Sequence, residues 1–202
     1  MIGTLARYKS LARKPYSPSQ QPYTHQANVI SNLPPLAFQA LTEFVVSVEI
    51  GAPLEDVWKI LIGLQSYSLW NPYHRSAIIV DEHSHKPTED SSLRAPAVLA
   101  LAVQTPATLD NAKQPLVLYE HVTLVDHANH RIIWGGGRLP SIFGAEHAQT
   151  LTATSDGKTL YEVRHAFGGL SGYLMRRVVG GTMPQGLQAT ADALKTRAEG
   201  RA

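Results

Sequence analysis

The chain has 202 residues, of which 44% are hydrophobic and 17% charged, a composition that folds rather than staying disordered. It contains no cysteine, which excludes disulfides, thiolate metal sites, iron–sulfur clusters and a cysteine nucleophile. No apolar run approaches the roughly 18 residues of a membrane-spanning helix, and the net charge is only +2, with a pI of about 8.9.

Residues 1–42 hold Arg7, Lys9, Arg13 and Lys14 and no acid, since the first acidic residue is Glu43. The remaining 160 residues carry 14 basic and 16 acidic groups, so the basic pI belongs to the N-terminal extension. The body shows no basic stripe and no Lys/Arg patch interleaved with aromatics, which argues against a nucleic-acid partner. Within the extension, Ile2, Leu5, Tyr8 and Leu11 fall at roughly helical spacing among the basic residues, and a Pro/Ser/Gln-rich stretch, Tyr16 to Tyr23, follows. An acid-free amphipathic start of this kind is how a transit peptide looks, but a flexible or surface-wrapping extension is the reading preferred here. The domain expected to fold is therefore 43–200. The expected location is cytoplasmic, or mitochondrial if residues 1–42 are an address.

Phe44 to Ile50 alternates apolar and polar residues, as a half-buried strand does. Gly51-Ala-Pro53 breaks it. Glu55 and Asp56 then favour a helix start, and Leu54, Val57, Trp58, Leu61 and Ile62 form a 3.6-period stripe. A second short helix, Leu64 to Trp70, ends at Asn71-Pro72. Six strands are expected next: Ser76–Val80, Leu93–Thr105, Leu116–Asp126, Arg131–Arg138, Glu146–Thr154 and Lys158–Phe167. After Gly168-Gly169 the pattern turns helical. Leu174 and Val178 make one stripe, and Leu187, Ala191, Leu194 and Ala198 another, with a break expected near Met183-Pro184. Strand, two short helices, six strands and a long helix describe an α+β fold. Its antiparallel sheet of about seven strands wraps the C-terminal helix and leaves an apolar cavity between them.

Particular residues in this order resemble the START-like helix-grip superfamily, often abbreviated SRPBCC. Val48-Glu-Ile-Gly-Ala-Pro53-Leu-Glu-Asp-Val-Trp58 looks like that family's first strand and helix. Tyr67-Ser-Leu-Trp70-Asn71-Pro72 looks like its "Y-x-x-W-N-P", and Arg131-Ile-Ile-Trp134 like its "R-x-x-W". Glu146-His147, Asp156-Gly-Lys-Thr159 and Phe167-Gly-Gly complete the match. The place two residues before that Phe, often Glu in the family, is His165 here. The superfamily includes polyketide cyclases and dehydratases and lipid or quinone carriers. The resemblance therefore implies a small hydrophobic ligand and no cofactor. It implies either a cofactor-independent cyclase, dehydratase or isomerase of secondary metabolism, cycloaddition included, or a non-catalytic lipid or quinone carrier.

Strand parity places Tyr161, Val163, His165 and Phe167 on the inner face, and likewise Ala145, His147, Gln149 and Leu151. Ser155-Asp-Gly157 suits a three-residue hairpin loop that pairs Thr154 with Lys158 and sets His147 opposite His165. A two- or four-residue loop would put them on opposite faces. The catalytic candidates are His147 and His165, as acid or base with a side-chain pKa near neutrality, and Tyr161, as a donor to a carbonyl. The ligand-binding candidates are Trp70, Asn71, Tyr119, His121, Trp134, Arg138, Gln149, Phe167 and Tyr173. Parity decides little for Tyr119 and His121, because both faces of their strand are apolar. A zinc site from His121, His147 and His165 is a further possibility, though no ligand spacing supports it. So is a purely structural role for each histidine. Trp134-Gly-Gly-Gly137 lacks the Lys-Ser/Thr of a phosphate loop.

Overall fold

A computed structural model describes residues 30–110, 114–135, 144–178 and 181–200. Residues 2–14, read above as a transit-peptide-like start, and Arg138 lie outside the described residues.

Strand β1, Ala40–Ile50, begins four residues before the alternation expected from Phe44. It leads into helix α1, Leu54–Ile62. Pro53 is its N-cap, Glu55 and Asp56 occupy its first turn, and Val57, Trp58 and Leu61 are its buried face. A 3-10 turn, Leu64–Ser66, and helix α2, Tyr67–Trp70, follow. Five strands come next: β2, His74–Val80; β3, Ala97–Val103; β4, Leu116–Asp126; β5, Arg131–Gly135; and β6, Ala145–Ala153. The last strand is β7, Thr159–Gly168, followed by helices α3, Gly169–Val178, and α4, Met183–Ala198. Strand β3 starts later than the apolar pattern from Leu93 because Pro96, which has no N–H to donate, stands just before it. The expected helix break lies between α3 and α4.

The seven strands form one antiparallel sheet in the order β1-β7-β6-β5-β4-β3-β2. Neighbours in space are neighbours in sequence except at β1, which closes on β7. The sheet curves around α4, whose Leu187, Ala191 and Leu194 are fully buried in the same apolar cluster as Val46, Ile50, Ile132, Leu151 and Tyr161. Contact is close enough that Gly186 of α4 lies against the Tyr73 ring, where a Cβ would come within 2.5 Å of its carbons. Helix α3 buries Gly172 against Leu41 and packs Met175 on the core. Leu174, expected on a buried stripe, is 58% exposed instead.

The hairpin between β6 and β7 has the three-residue loop, with Gly157 at φ 78° and Thr154 N–H donating to Lys158 O at 2.9 Å. This register places His147 opposite His165. The face expected to be outward is itself covered. Arg164 is buried and donates to Glu146 Oε1 at 2.6 Å and to Pro34 O at 2.7 Å. Asn32 accepts from Arg131 Nε at 2.9 Å, and its own backbone N–H donates to Glu162 at 2.9 Å. Residues ahead of β1 are thus tied to the outer face through polar groups that would otherwise stand unpaired.

Candidate functional site on the concave face

One cross-strand row runs along the inner face through six strands: Ala97, Val122, Trp134, His147, His165 and Phe44. It exists because the side-chain period of a strand is two and each register is set by its neighbour. One step along the strands in one direction lie Leu99 opposite Glu120, and Ala145 opposite Phe167. One step in the other direction lie Ile132, Gln149, Val163 and Val46.

The row is aromatic. The Trp134 ring stacks on His147 with centroids 4.5 Å apart and planes 18° apart, and His165 stacks on Phe167 at 4.5 Å and 17°. His147 and His165 meet edge to face at 5.3 Å, their Nδ1 atoms 3.4 Å apart. His74, at the start of β2, reaches across to the same place, with its ring 5.3 Å from His147 and 6.2 Å from Trp134.

His74 and His147 are buried, while Phe44, His165 and Glu120 keep some solvent access, so part of this face can be reached from outside. Four buried atoms on this face have no hydrogen-bond partner: His74 Nδ1, His147 Nε2, Glu120 Oε2 and Gln149 Nε2. A buried polar atom left unpaired costs about 1–3 kcal/mol, a cost that a polar group held against this face would relieve.

Burial sets the electrostatics. It holds His74 down at about 3 and His165 at about 4, and His147 well below its usual range with help from its two histidine neighbours. The three imidazoles are therefore neutral at pH 7, and the expectation of a histidine titrating near neutrality is corrected: desolvation outweighs the intrinsic basicity. Neutral rings still carry one N–H and one lone pair each. If one Nδ1 donates to the other, the two Nε2 atoms divide into one donor and one acceptor. Glu120 moves the opposite way, pushed up to about 7 by burial.

The other sequence candidates divide. Trp134 and Phe167 line the inner row. Tyr161 is fully buried, its O–H donating to Gln149 Oε1 at 2.6 Å, and burial raises its pKa. That proton is spent inside the protein, so Tyr161 is not the carbonyl donor expected of it, and Gln149 is its partner. Asn71 is fully buried, and its Oδ1 accepts from Tyr73 N–H, His74 N–H and Thr190 Oγ1. It joins α2, β2 and α4. Trp70 is buried beside Tyr67 and donates to Ser66.

Tyr119 and His121 do not face the ligand space. The register that turns Glu120 and Val122 inward turns both of them outward. Tyr119 is 46% exposed and stacks on His85 at 3.9 Å, and His121 lines an outer groove with Val98 and Thr123. This also removes the zinc set that included His121; among the described residues no group of three or more His, Asp or Glu is arranged to hold a metal. Tyr173 is 68% exposed on α3 rather than part of the inner wall. Sequence reasoning missed His74 and Glu120. For His74 a signal existed, because it stands two residues after the Trp70-Asn71-Pro72 motif. Glu120 was legible only as a lone acid in an apolar strand.

The family described as polyketide cyclase / dehydrase and lipid transport matches residues 42–199. A comparison with curated proteins gives no match. Among solved structures, the chain is similar to the Zhui aromatase/cyclase from Streptomyces sp. R1128, at 18% identity and a TM-score of 0.56, covering 79% of this chain and 94% of that one. A START superfamily protein from Mycobacterium smegmatis is similar at 20% identity and a TM-score of 0.52, covering 79% and 99%. Norcoclaurine synthase from Thalictrum flavum, in complex with dopamine and hydroxybenzaldehyde, is similar at 14% identity and a TM-score of 0.54, covering 80% and 88%. At these identities the likeness concerns the fold.

Proposed function

The chain belongs to the polyketide cyclase / dehydrase and lipid transport family, and from that premise we propose that it binds a small, flat, oxygen-bearing hydrophobic molecule on the concave face and catalyses its cyclisation, dehydration or isomerisation. The observation that carries this reading is the set of buried, unpartnered polar atoms on an aromatic wall: His74 Nδ1, His147 Nε2, Glu120 Oε2 and Gln149 Nε2. An apolar cargo would leave all four unsatisfied, whereas a ligand with a carbonyl or hydroxyl can pair with them. The stacked rings of Trp134, His147, His165 and Phe167 favour a planar partner.

Cyclisation by aldol addition, dehydration and double-bond isomerisation share one step, removal of a proton beside a carbonyl. Neutral imidazole N–H groups fixed in a desolvated wall can hold the oxygen as it gains charge. The supporting experiment uses 2-tetralone, a benzo-fused cyclic ketone. It should quench tryptophan fluorescence on binding, and its C1 hydrogens should exchange in D2O faster with the protein than in buffer. Binding without accelerated exchange, together with a lipid or quinone found in native mass spectra of the purified protein, would replace the enzyme by a carrier.

A further inference from the structure

The assignment that follows rests on the reading of the concave face as a site of carbonyl chemistry. We propose that Glu120 is the catalytic residue that moves the proton, and that the substrate class is a planar aromatic-ring-bearing ketone, which the stacked rings of Trp134, His147, His165 and Phe167 suit.

The geometry begins with register. Glu120 pairs with Leu99, which is fully buried on the inner face, while Tyr119 and His121 to either side face outward. Its carboxyl is half-buried, with Oε2 enclosed and unpartnered. It therefore stands where the buried row meets the accessible end of the face, within reach of a ligand that enters. The other acids of the described strands are differently placed. Glu146 and Glu43 lie against Arg164, Glu162 accepts from Asn32, Glu49 from Lys158 and Asp126 from Ala128 and Asn129, all away from the inner row. Among the described residues no ion pair to Glu120 is formed, and burial is the cause of its raised pKa. Burial alone keeps the ionised and protonated forms close in free energy near neutrality, which suits a group that must take a proton and give it back.

The step balances without a co-reactant. An ionised Glu120 oxygen takes the proton, the C–H electron pair becomes the carbon–carbon double bond of the enolate, and the carbonyl pair moves onto oxygen. An N–H of His147 or His74 holds that oxygen. The protonated Glu120 then returns its proton to carbon, giving exchange or isomerisation, or to a departing hydroxyl, releasing water. The other titratable groups on this face among the described residues are His74, His147, His165, Tyr67, Tyr73 and Tyr161. The imidazoles have lowered pKa values and the phenols raised ones, so all six are neutral at pH 7. A rate midpoint near 7 would then belong to Glu120.

The test follows deuterium exchange into 2-tetralone by NMR. Wild-type protein should accelerate exchange with a midpoint near pH 7. Glu120→Gln keeps the shape and should lose about a hundredfold of the acceleration, keep the tryptophan quenching by the probe and lose the midpoint. His121→Ala, on the outer face, should exchange like wild type. Exchange by Glu120→Gln within twofold of wild type overturns the assignment while leaving the proposed function standing. A wild-type rate no faster than buffer overturns both.

Discussion

His147 of β6 and His165 of β7 stand directly opposite each other with their Nδ1 atoms 3.4 Å apart. The contact is a consequence of a three-residue turn eight positions away, because each added or removed loop residue would shift one strand by one and send one ring to the other face. Two neutral imidazoles so joined share one proton between their inner nitrogens. They present one donor and one acceptor to whatever lies against them.

Stability should fall as the pH drops from about 6.5 toward 4. The unfolded chain binds protons on its histidines near 6.5, whereas burial holds His165 to about 4 and His74 to about 3. The unfolded state therefore binds more protons in that window, and acid favours it. Urea denaturation at pH 7.5 and 4.5 measures the loss. Replacing His165 with Phe should shrink the difference between the two pH values, and an unchanged difference would contradict the burial argument.

Glu120→Gln should raise the melting temperature at pH 8 and leave it nearly unchanged at pH 4. The folded state holds the carboxyl proton up to about 7, against 4.5 for an ordinary glutamate. Above 7 folding must keep an unpaired charge half-buried, and below 4.5 both states are protonated. Differential scanning calorimetry at the two pH values checks the sign.

Gly186→Ala should destabilise the protein by about 1–3 kcal/mol, the usual range for overpacking a filled core. The new methyl would stand 2.5 Å from two carbons of the Tyr73 ring, which is itself buried. Pairing it with Tyr73→Leu should recover part of the loss, measured as the midpoint of urea unfolding.

Asn32→Ala should cost about 1–3 kcal/mol by leaving the Arg131 guanidinium short of an acceptor and the Asn129 and Leu151 carbonyls short of the side-chain amide that donates to them. The neighbouring Ile30 is 88% exposed, and Ile30→Ala should be close to neutral. Equal melting temperatures for Asn32→Ala and wild type would show that the segment ahead of β1 adds nothing to the sheet.

The order of elements was legible because period-two and period-3.6 patterns survive in this chain from Phe44 onward, and Gly and Pro punctuate them. The inner faces of β6 and β7 were legible too, since Tyr161, Val163 and Phe167 alternate with Glu162 and Arg164. Strand β4 was not. Leu116, Val117, Leu118 and Val122 supply apolar residues to both faces, so neither parity was favoured. The pairing of Leu99 with Glu120 turned Tyr119 and His121 out and the carboxyl in. Asn71 and Tyr161 looked like ligand contacts because their polar groups sit in apolar surroundings. Each satisfies a partner distant in sequence: Asn71 meets Thr190, and Tyr161 meets Gln149.

By itself the sequence determined a cysteine-free domain with a helix-grip order of elements, a basic segment ahead of it and two histidines on one face. Those properties depend on local periodicity and turn length, which reside in neighbouring residues. Only the tertiary structure decided which polar atoms are left unpaired, that a third histidine, His74, meets His147 and Trp134, and that burial moves imidazoles away from neutrality while bringing Glu120 to it. Those outcomes depend on desolvation, and desolvation at any one atom is set by strands and helices far away along the chain.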